Sequence, residues 1–222
     1  MDFAEARARM VEGQVRPSDV SDLRIIAAML ELWRQNFVYP DQAELAYADL
    51  DLALRGEPGA ASTRRLMRPR TLAKLIQTAD ISPQDAVLDV GCTTGYGAAV
   101  MAHLAGEVVA LEQDADLAAF ARKAISQSGI GNATVATGPL TAGWPAKAPY
   151  DVIVLEGATE VVPRTLFGQL RDGGRLLCIE GRGPATRAML YRSAAGGVSG
   201  RPVFDAVAPL LPGFAEPPAF VF

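Results

Sequence analysis

Residues 86–112 read AVLDVGCTTGYGAAVMAHLAGEVVALE, and the reading of the chain starts from that stretch. Ala86-Val87-Leu88-Asp89-Val90 is a short apolar run with β-branched residues that stops at Gly91. A turn of small residues follows, Gly91-Cys92-Thr93-Thr94-Gly95-Tyr96-Gly97, and Ala98 to Leu104 has helical character. A second strand, Val108-Val109-Ala110-Leu111, ends at Glu112. Strand, tight turn, helix and a strand closed by an acid make one βαβ unit of a nucleotide-binding sheet. Gly91 and Gly95 permit a sharp turn and let a ligand approach the main chain with no Cβ in the way. The helix N-terminus offers N–H groups to a negatively charged ligand group. Glu112, 21 residues after Gly91, presents two carboxylate oxygens to the two hydroxyls of a ribose.

Working outward, strand-like and helical stretches alternate. Asp116–Ser128 reads as a helix, 132–137 as the third strand, and the apolar run Tyr150–Glu156 as the fourth, covered on both faces. A short helix over Pro163–Leu170 leads into strand five, Arg175–Ile179. Met189-Leu190-Tyr191 and Val203–Val207, joined by the turn-rich Ala195–Gly200, read as a terminal antiparallel hairpin. On the N-terminal side, helices are predicted over residues 2–12, Leu23–Gln35 and Thr71–Thr78, with Gly56–Ser62 as a turn-rich connector. The pattern predicts an α/β fold, doubly wound, with a mostly parallel sheet of about seven strands behind an N-terminal helical extension. The Gly/Pro-rich tail to Phe222 is expected to lie across the surface.

Composition narrows the functions. Half of the 222 residues are hydrophobic, and a net charge of −4 gives no global attraction to nucleic acid or to an anionic membrane. Cys92 and Cys178 read as reduced thiols of a cytoplasmic protein, one in the turn and one in a strand. Two cysteines and the lone His103 make no metal site, and His103 falls near a helix end, where capping or packing is its expected role. The N-terminus is charged from Asp2 onward, unlike a secretory signal, and no run of 18 apolar residues is present.

The turn does not meet the dinucleotide pattern G-x-G-x-x-G, since position 93 is Thr, and no phosphate loop ending in Gly-Lys-Ser/Thr occurs. Leu88-Asp89-Val90-Gly91-x-x-x-Gly95-Tyr96 instead resembles the first motif of S-adenosylmethionine-dependent methyltransferases. Phe37-Val38-x-Pro40, Leu45-Ala46-Tyr47-Ala48-Asp49-Leu50, Gly13-Gln14-Val15 and Val20-x-Asp22 are similar to the N-terminal region of protein-L-isoaspartate (D-aspartate) O-methyltransferases. Ala208–Phe214 resembles that family's closing segment. The resemblance implies a Rossmann-like methyltransferase domain over 81–222, packed as one unit with an extension and connector over 1–80. It implies S-adenosylmethionine as cofactor and a protein or peptide as substrate, with no nucleic acid and no membrane as partner. The reaction implied is methylation of the carboxylate of isoaspartyl residues in damaged proteins.

The cofactor contacts implied are Asp89, Gly91, Cys92, Thr93, Thr94, Gly95, Glu112, Gln113, Gly138, Pro139, Leu140 and Glu156. Three positions depart from the family. Thr93 stands for the central glycine, Pro139 for the Asp that bonds the adenine amine, and Met67 for the substrate-side hydroxyl. Two further readings therefore stay open: the same fold with a different acceptor, or a non-catalytic S-adenosylmethionine-binding or interaction protein. Asp89 either orients the methionine end of the ligand or caps its turn, and Glu156 is either a crevice group or an exposed loop acid. Arg64, Arg65, Arg68 and Arg70 cluster at the substrate side. They are either a solvated connector paired with acids, or, with Arg65 or Arg68 first, the holders of an anionic acceptor. No catalytic residue is assigned, because a carboxylate is already nucleophilic at neutral pH and needs positioning rather than a base.

Overall fold

The computed structural model describes residues 1–54, 64–183 and 185–217; the connector read at Gly56–Ser62 lies outside them. In chain order it contains α1 (Phe3–Met10), α2 (Leu23–Glu31), β1 (Leu52–Ala53), β2 (Arg65–Leu66), α3 (Pro69–Ala79), β3 (Ala86–Val90), α4 (Tyr96–Ala102) and β4 (Glu107–Glu112). There follow α5 (Ala115–Gln127), β5 (Ala133–Thr137), β6 (Tyr150–Thr159), α6 (Arg164–Phe167), β7 (Leu170–Arg182), β8 (Ala185–Ala194) and β9 (Gly197–Asp205). Helix starts carry the expected chemistry. Asp2, Asp22 and Asp114 each accept backbone N–H groups as N-caps of α1, α2 and α5, and Pro69 opens α3.

Seven strands form one sheet in the order β5-β4-β3-β6-β7-β8-β9, and β1 pairs with β2 in a separate two-stranded ribbon. The pairs from β5 to β7 are parallel, while β7–β8 and β8–β9 are antiparallel. Ala86–Val90 is thus central, as the sequence predicts. Alternation along the strands sorts side chains to two faces. Val87, Val108, Ala110, Val152, Val154, Leu177 and Ile179 join one core with Leu72, Leu75 and Ile76 of α3 and Leu117, Ala121 and Ile125 of α5. Leu88, Val90, Val109, Leu111, Ile153, Leu155, Leu176 and Cys178 join the other, with Leu140, Leu166, Leu211 and Phe214. The first core also takes in Met10, Ile25, Met29, Phe37 and Leu66, so the N-terminal region shares its interior with the sheet.

The chain crosses from one face to the other between β3 and β6, which is the switch point where an open α/β sheet forms its crevice.

Several boundaries differ from the sequence reading. Helix α1 runs on into a π turn over Val11–Val15 and a 3-10 turn over Arg16–Ser18. Helix α2 stops at Glu31, where Leu32 turns extended (ψ 129°), and a 3-10 turn over Arg34–Phe37 carries the Arg34 side chain inward. The hairpin turn is not six residues but two. Ala195 and Gly196 both take positive φ, which matches the twist of the strands they join, and Gly197–Gly200 pair within β9. The C-terminal segment does not simply cross the surface. Leu211 N–H donates to the Ala158 carbonyl, Ala158 N–H to that of Pro209, and Glu160 N–H to that of Phe214, seating the segment along the end of β6.

Candidate active-site crevice

The turn after β3 bends with Gly91 at φ 83° and Gly95 at φ 91°. Between them Thr93 also sits in the left-handed region, at φ 52°, where a β-branched residue is strained. The reward is electrostatic: the Thr93 N–H points at Glu112 and donates to Oε2 at 2.9 Å. The other oxygen of Glu112, Oε1, accepts from Gln113 N–H (2.9 Å) and Asp114 N–H (3.2 Å), where the chain enters α5. Glu112 is fully buried. Three backbone donors therefore hold a carboxylate beside the glycine turn, in the place expected of a ribose acceptor.

Two side chains lie over that turn. Arg64, only 6% exposed, places Nη2 2.7 Å from Glu112 Oε2 and 3.0 Å from the Gly91 carbonyl. Leu211 comes in from the C-terminal segment, its Cδ2 2.9 Å from where a Cβ on Gly91 would be. Gly157 is likewise packed under Leu211. Arginine entry into the crevice is thus real, but through Arg64 rather than Arg65 or Arg68. Strand parity decides it: with Leu66 inward, Arg65 is outward and exposed, and among the described residues it reaches the Asp51 carbonyl (3.3 Å). Arg68 is held by Asp51 at 2.7 Å and Arg70 by Asp49 at 3.2 Å, so these two follow the paired-connector reading. Met67 is buried in the core, and its carbonyl accepts from Arg34 Nη2 at 2.7 Å.

The remaining turn residues divide between crevice and scaffold. The Thr94 hydroxyl donates to the Phe37 carbonyl at 2.5 Å, tying the turn to the N-terminal extension. Cys92 is a buried free thiol that burial, and then the nearby Asp89, push well up, so it stays protonated. Gly138 N–H donates to the Glu112 carbonyl at 3.1 Å, after which Pro139 starts a 3-10 turn and Leu140 packs toward Gly91. His103 ends α4 and is exposed.

Beneath the turn lies a second charged group that the sequence reading had split. Asp89 and Glu156 are both buried, and among the described residues their four oxygens meet no N–H or hydroxyl donor, so the two carboxyl groups have each other as partners. Burial first, and then Glu156, raise Asp89 well above the ordinary carboxylate range. Burial also raises Glu156, to about 7, opposed by a hydrogen bond from protonated Asp89 and by Arg34 and Arg64. Glu156 is therefore no loop acid. Glu156 lies within β6, in the stretch between Val154 and Ala158 where the register on β7 slips. The carboxylate lies so close to α4 that a Cβ on Gly97 would fall 1.7 Å from Oε1, which explains the glycine there.

Arg34, which sequence reasoning missed, completes the cluster. It is 1% exposed, donates Nε to the Ala46 carbonyl at 2.7 Å, and stacks over the Tyr96 ring at 4.4 Å. Its only sequence signal is position, in the break between α2 and the Phe37-Val38-x-Pro40 motif. Among the described residues no group of three or more His, Cys, Asp and Glu is placed to hold a metal, and no helix is long and apolar enough to cross a membrane.

A glycine turn at the switch point, with a buried carboxylate closing the next strand, defines the nucleoside-binding crevice of an open α/β fold. Comparison with known proteins makes the assignment specific. The family model for protein-L-isoaspartate(D-aspartate) O-methyltransferase (PCMT) matches residues 6–201, and the chain belongs to that family. It is 36% identical over 194 residues to the protein-L-isoaspartate O-methyltransferase of Koribacter versatilis, covering 87% of this chain and 85% of the relative. A solved protein-L-isoaspartate O-methyltransferase superimposes with a TM-score of 0.80 at 26% identity, over 93% of this chain and 66% of that one. A Plasmodium falciparum structure, described as a putative member in complex with S-adenosyl-L-homocysteine, shares the fold at a TM-score of 0.72 and 18% identity. It is covered over 98% of its length, against 94% of this chain.

Proposed function

We propose that the chain transfers the methyl group of S-adenosylmethionine to the side-chain carboxylate of isoaspartyl residues in damaged proteins. The observation that carries the reading is the Glu112 carboxylate, oriented by the N–H groups of Thr93, Gln113 and Asp114 beside the Gly91–Gly97 turn, in a chain of this family. The bound cofactor supplies an electrophilic methyl group on a sulfonium. Glu112 would take the ribose hydroxyls, while Gly91 and Gly95 leave the backbone open to close approach. Gly138, Pro139 and Leu140 border the same side of the turn, where Leu140 offers apolar surface and Pro139 no side-chain hydrogen bond. Asp89 and Glu156 lie under the methionine end.

A carboxylate acceptor carries no proton that must leave, so the chain's part is to orient, desolvate and exclude water. That fits a crevice whose thiol is held protonated and whose single histidine is elsewhere. On the acceptor side, Arg65 keeps an exposed guanidinium, while Arg68 and Met67 serve the scaffold. The partner proposed is a protein or peptide in the cytoplasm.

The test is methyl incorporation from labelled S-adenosylmethionine into an isoaspartyl peptide, with the matching aspartyl peptide as control. Base-labile incorporation into the isoaspartyl peptide alone is the expected result. Calorimetric binding of S-adenosylhomocysteine without incorporation would instead favour a different acceptor, and absence of both would favour a non-catalytic protein.

A further inference from the structure

We infer that Arg64 is an internal competitor for the nucleoside subsite, so that ribose can take Glu112 only as the guanidinium lets it go. The inference rests on the cofactor reading above and adds to it a built-in brake on binding. Its basis is the coordination of one carboxylate. Glu112 accepts four hydrogen bonds, two on each oxygen, from Gln113, Asp114, Thr93 and Arg64. A carboxylate has about four lone-pair sites, so Glu112 is saturated. Three of the donors are backbone groups fixed by the glycine turn and the start of α5, and these cannot withdraw without unmaking both elements. Arg64 is the side-chain donor and hence the exchangeable one.

Position makes the same point independently of charge. The Arg64 Nη2 atom lies 3.1 Å from where a Cβ on Gly91 would stand, against the stretch of main chain that a ligand must approach. Its hydrogen bond to the Gly91 carbonyl fastens it there at 3.0 Å. The Arg64 carbonyl is in turn held by Leu54 N–H at 3.0 Å, next to the β1–β2 ribbon, so the side chain, not the strand, is the part able to swing. A ribose hydroxyl entering the one acceptor site that Arg64 vacates would replace a charge-assisted donor by a neutral one. Arg64 thus lowers affinity while leaving the carboxylate preset for a ribose.

The test is isothermal calorimetry with S-adenosylhomocysteine on the full chain, comparing the unmodified protein, Arg64→Met, Glu112→Gln and the double variant. Arg64→Met keeps the length and apolar stem and removes the charged donor. It should bind roughly 10- to 100-fold more tightly, the range for releasing a hydrogen bond to a charged group. In the Glu112→Gln background the same change should gain less than about threefold, because the competition runs through the carboxylate. Melting by circular dichroism establishes that each variant is folded, and Arg64→Gln, neutral but polar, replaces Arg64→Met if that variant does not fold. Equal or weaker binding by the Arg64 variant, with measurable binding by the unmodified protein, overturns the competition and leaves the cofactor reading standing. A gain that persists in the Glu112→Gln background also overturns it, making the effect steric. If neither the unmodified protein nor the Arg64 variant binds, both readings fall together.

Discussion

Replacing Glu156 by glutamine should flatten the pH dependence of stability between pH 5 and 8. The carboxyl is buried beneath the crevice with Asp89, and its pKa in the folded protein is raised from 4.5 to about 7. A raised carboxyl pKa means that the folded state holds a proton the unfolded chain has already lost across that window. Stability therefore falls as pH rises from the unfolded value to the folded one, and it is highest on the acid side of the window. At about 1.4 kcal/mol per pH unit for one proton, complete titration from 4.5 to 7 removes about 3 kcal/mol. For a chain of this size that corresponds to roughly 6–12 °C in Tm. Glutamine has nearly the same shape, fits beside Gly97 and does not titrate. The assay is thermal unfolding of both proteins in matched buffers from pH 5 to 8.5. The unmodified protein should lose most of the stated Tm difference over the range, relative to Glu156→Gln, and the two curves should converge toward pH 5. Parallel curves would refute the reasoning, since the Asp89–Glu156 pair would then add nothing to the slope that Asp89 alone does not.

Two other substitutions probe the scaffold around the site. Thr93→Gly removes a β-branched residue from φ 52° and a buried hydroxyl without a partner. Relief of roughly 1–2 kcal/mol of backbone strain outweighs the roughly 0.5–1 kcal/mol of added chain entropy, so Tm should rise by a few degrees; a lower Tm would show that the threonine packing matters more. Arg34→Met strands the carbonyls of Ala46 and Met67 and loses the stack on Tyr96. It should cost about 3–5 kcal/mol in chemical denaturation, and a loss below about 1 kcal/mol would mean that relief of the buried charge balances the lost contacts.

What the sequence discloses and what it conceals have a physical dividing line. The strands were legible because their alternate residues go to different faces: Val87, Val152 and Val154 to one core, and Leu88, Ile153 and Leu155 to the other. The glycine turn was legible because φ values of 83° and 91° restrict the residue type, and Glu112 because of its spacing from that turn. The concealed residues all lie where periodicity stops. The sequence does not separate Arg64 from Arg65 and Arg68, because a two-residue strand gives too short a pattern to fix its parity, and one residue of slip exchanges inside for outside. Glu156 stays open between crevice group and loop acid in the sequence because it closes an apolar run, and nothing in the pattern announces that β6 continues to Thr159. Leu211 lies in a Gly/Pro-rich stretch with no period at all, yet it is 1% exposed over Gly91. These irregular positions gather at the carboxyl ends of β3, β4 and β6, because a crevice requires backbone that has left the regular lattice. The residues that enter this crevice from irregular backbone, Arg64 and Leu211, are thus the ones that patterns of regular structure are least able to reveal.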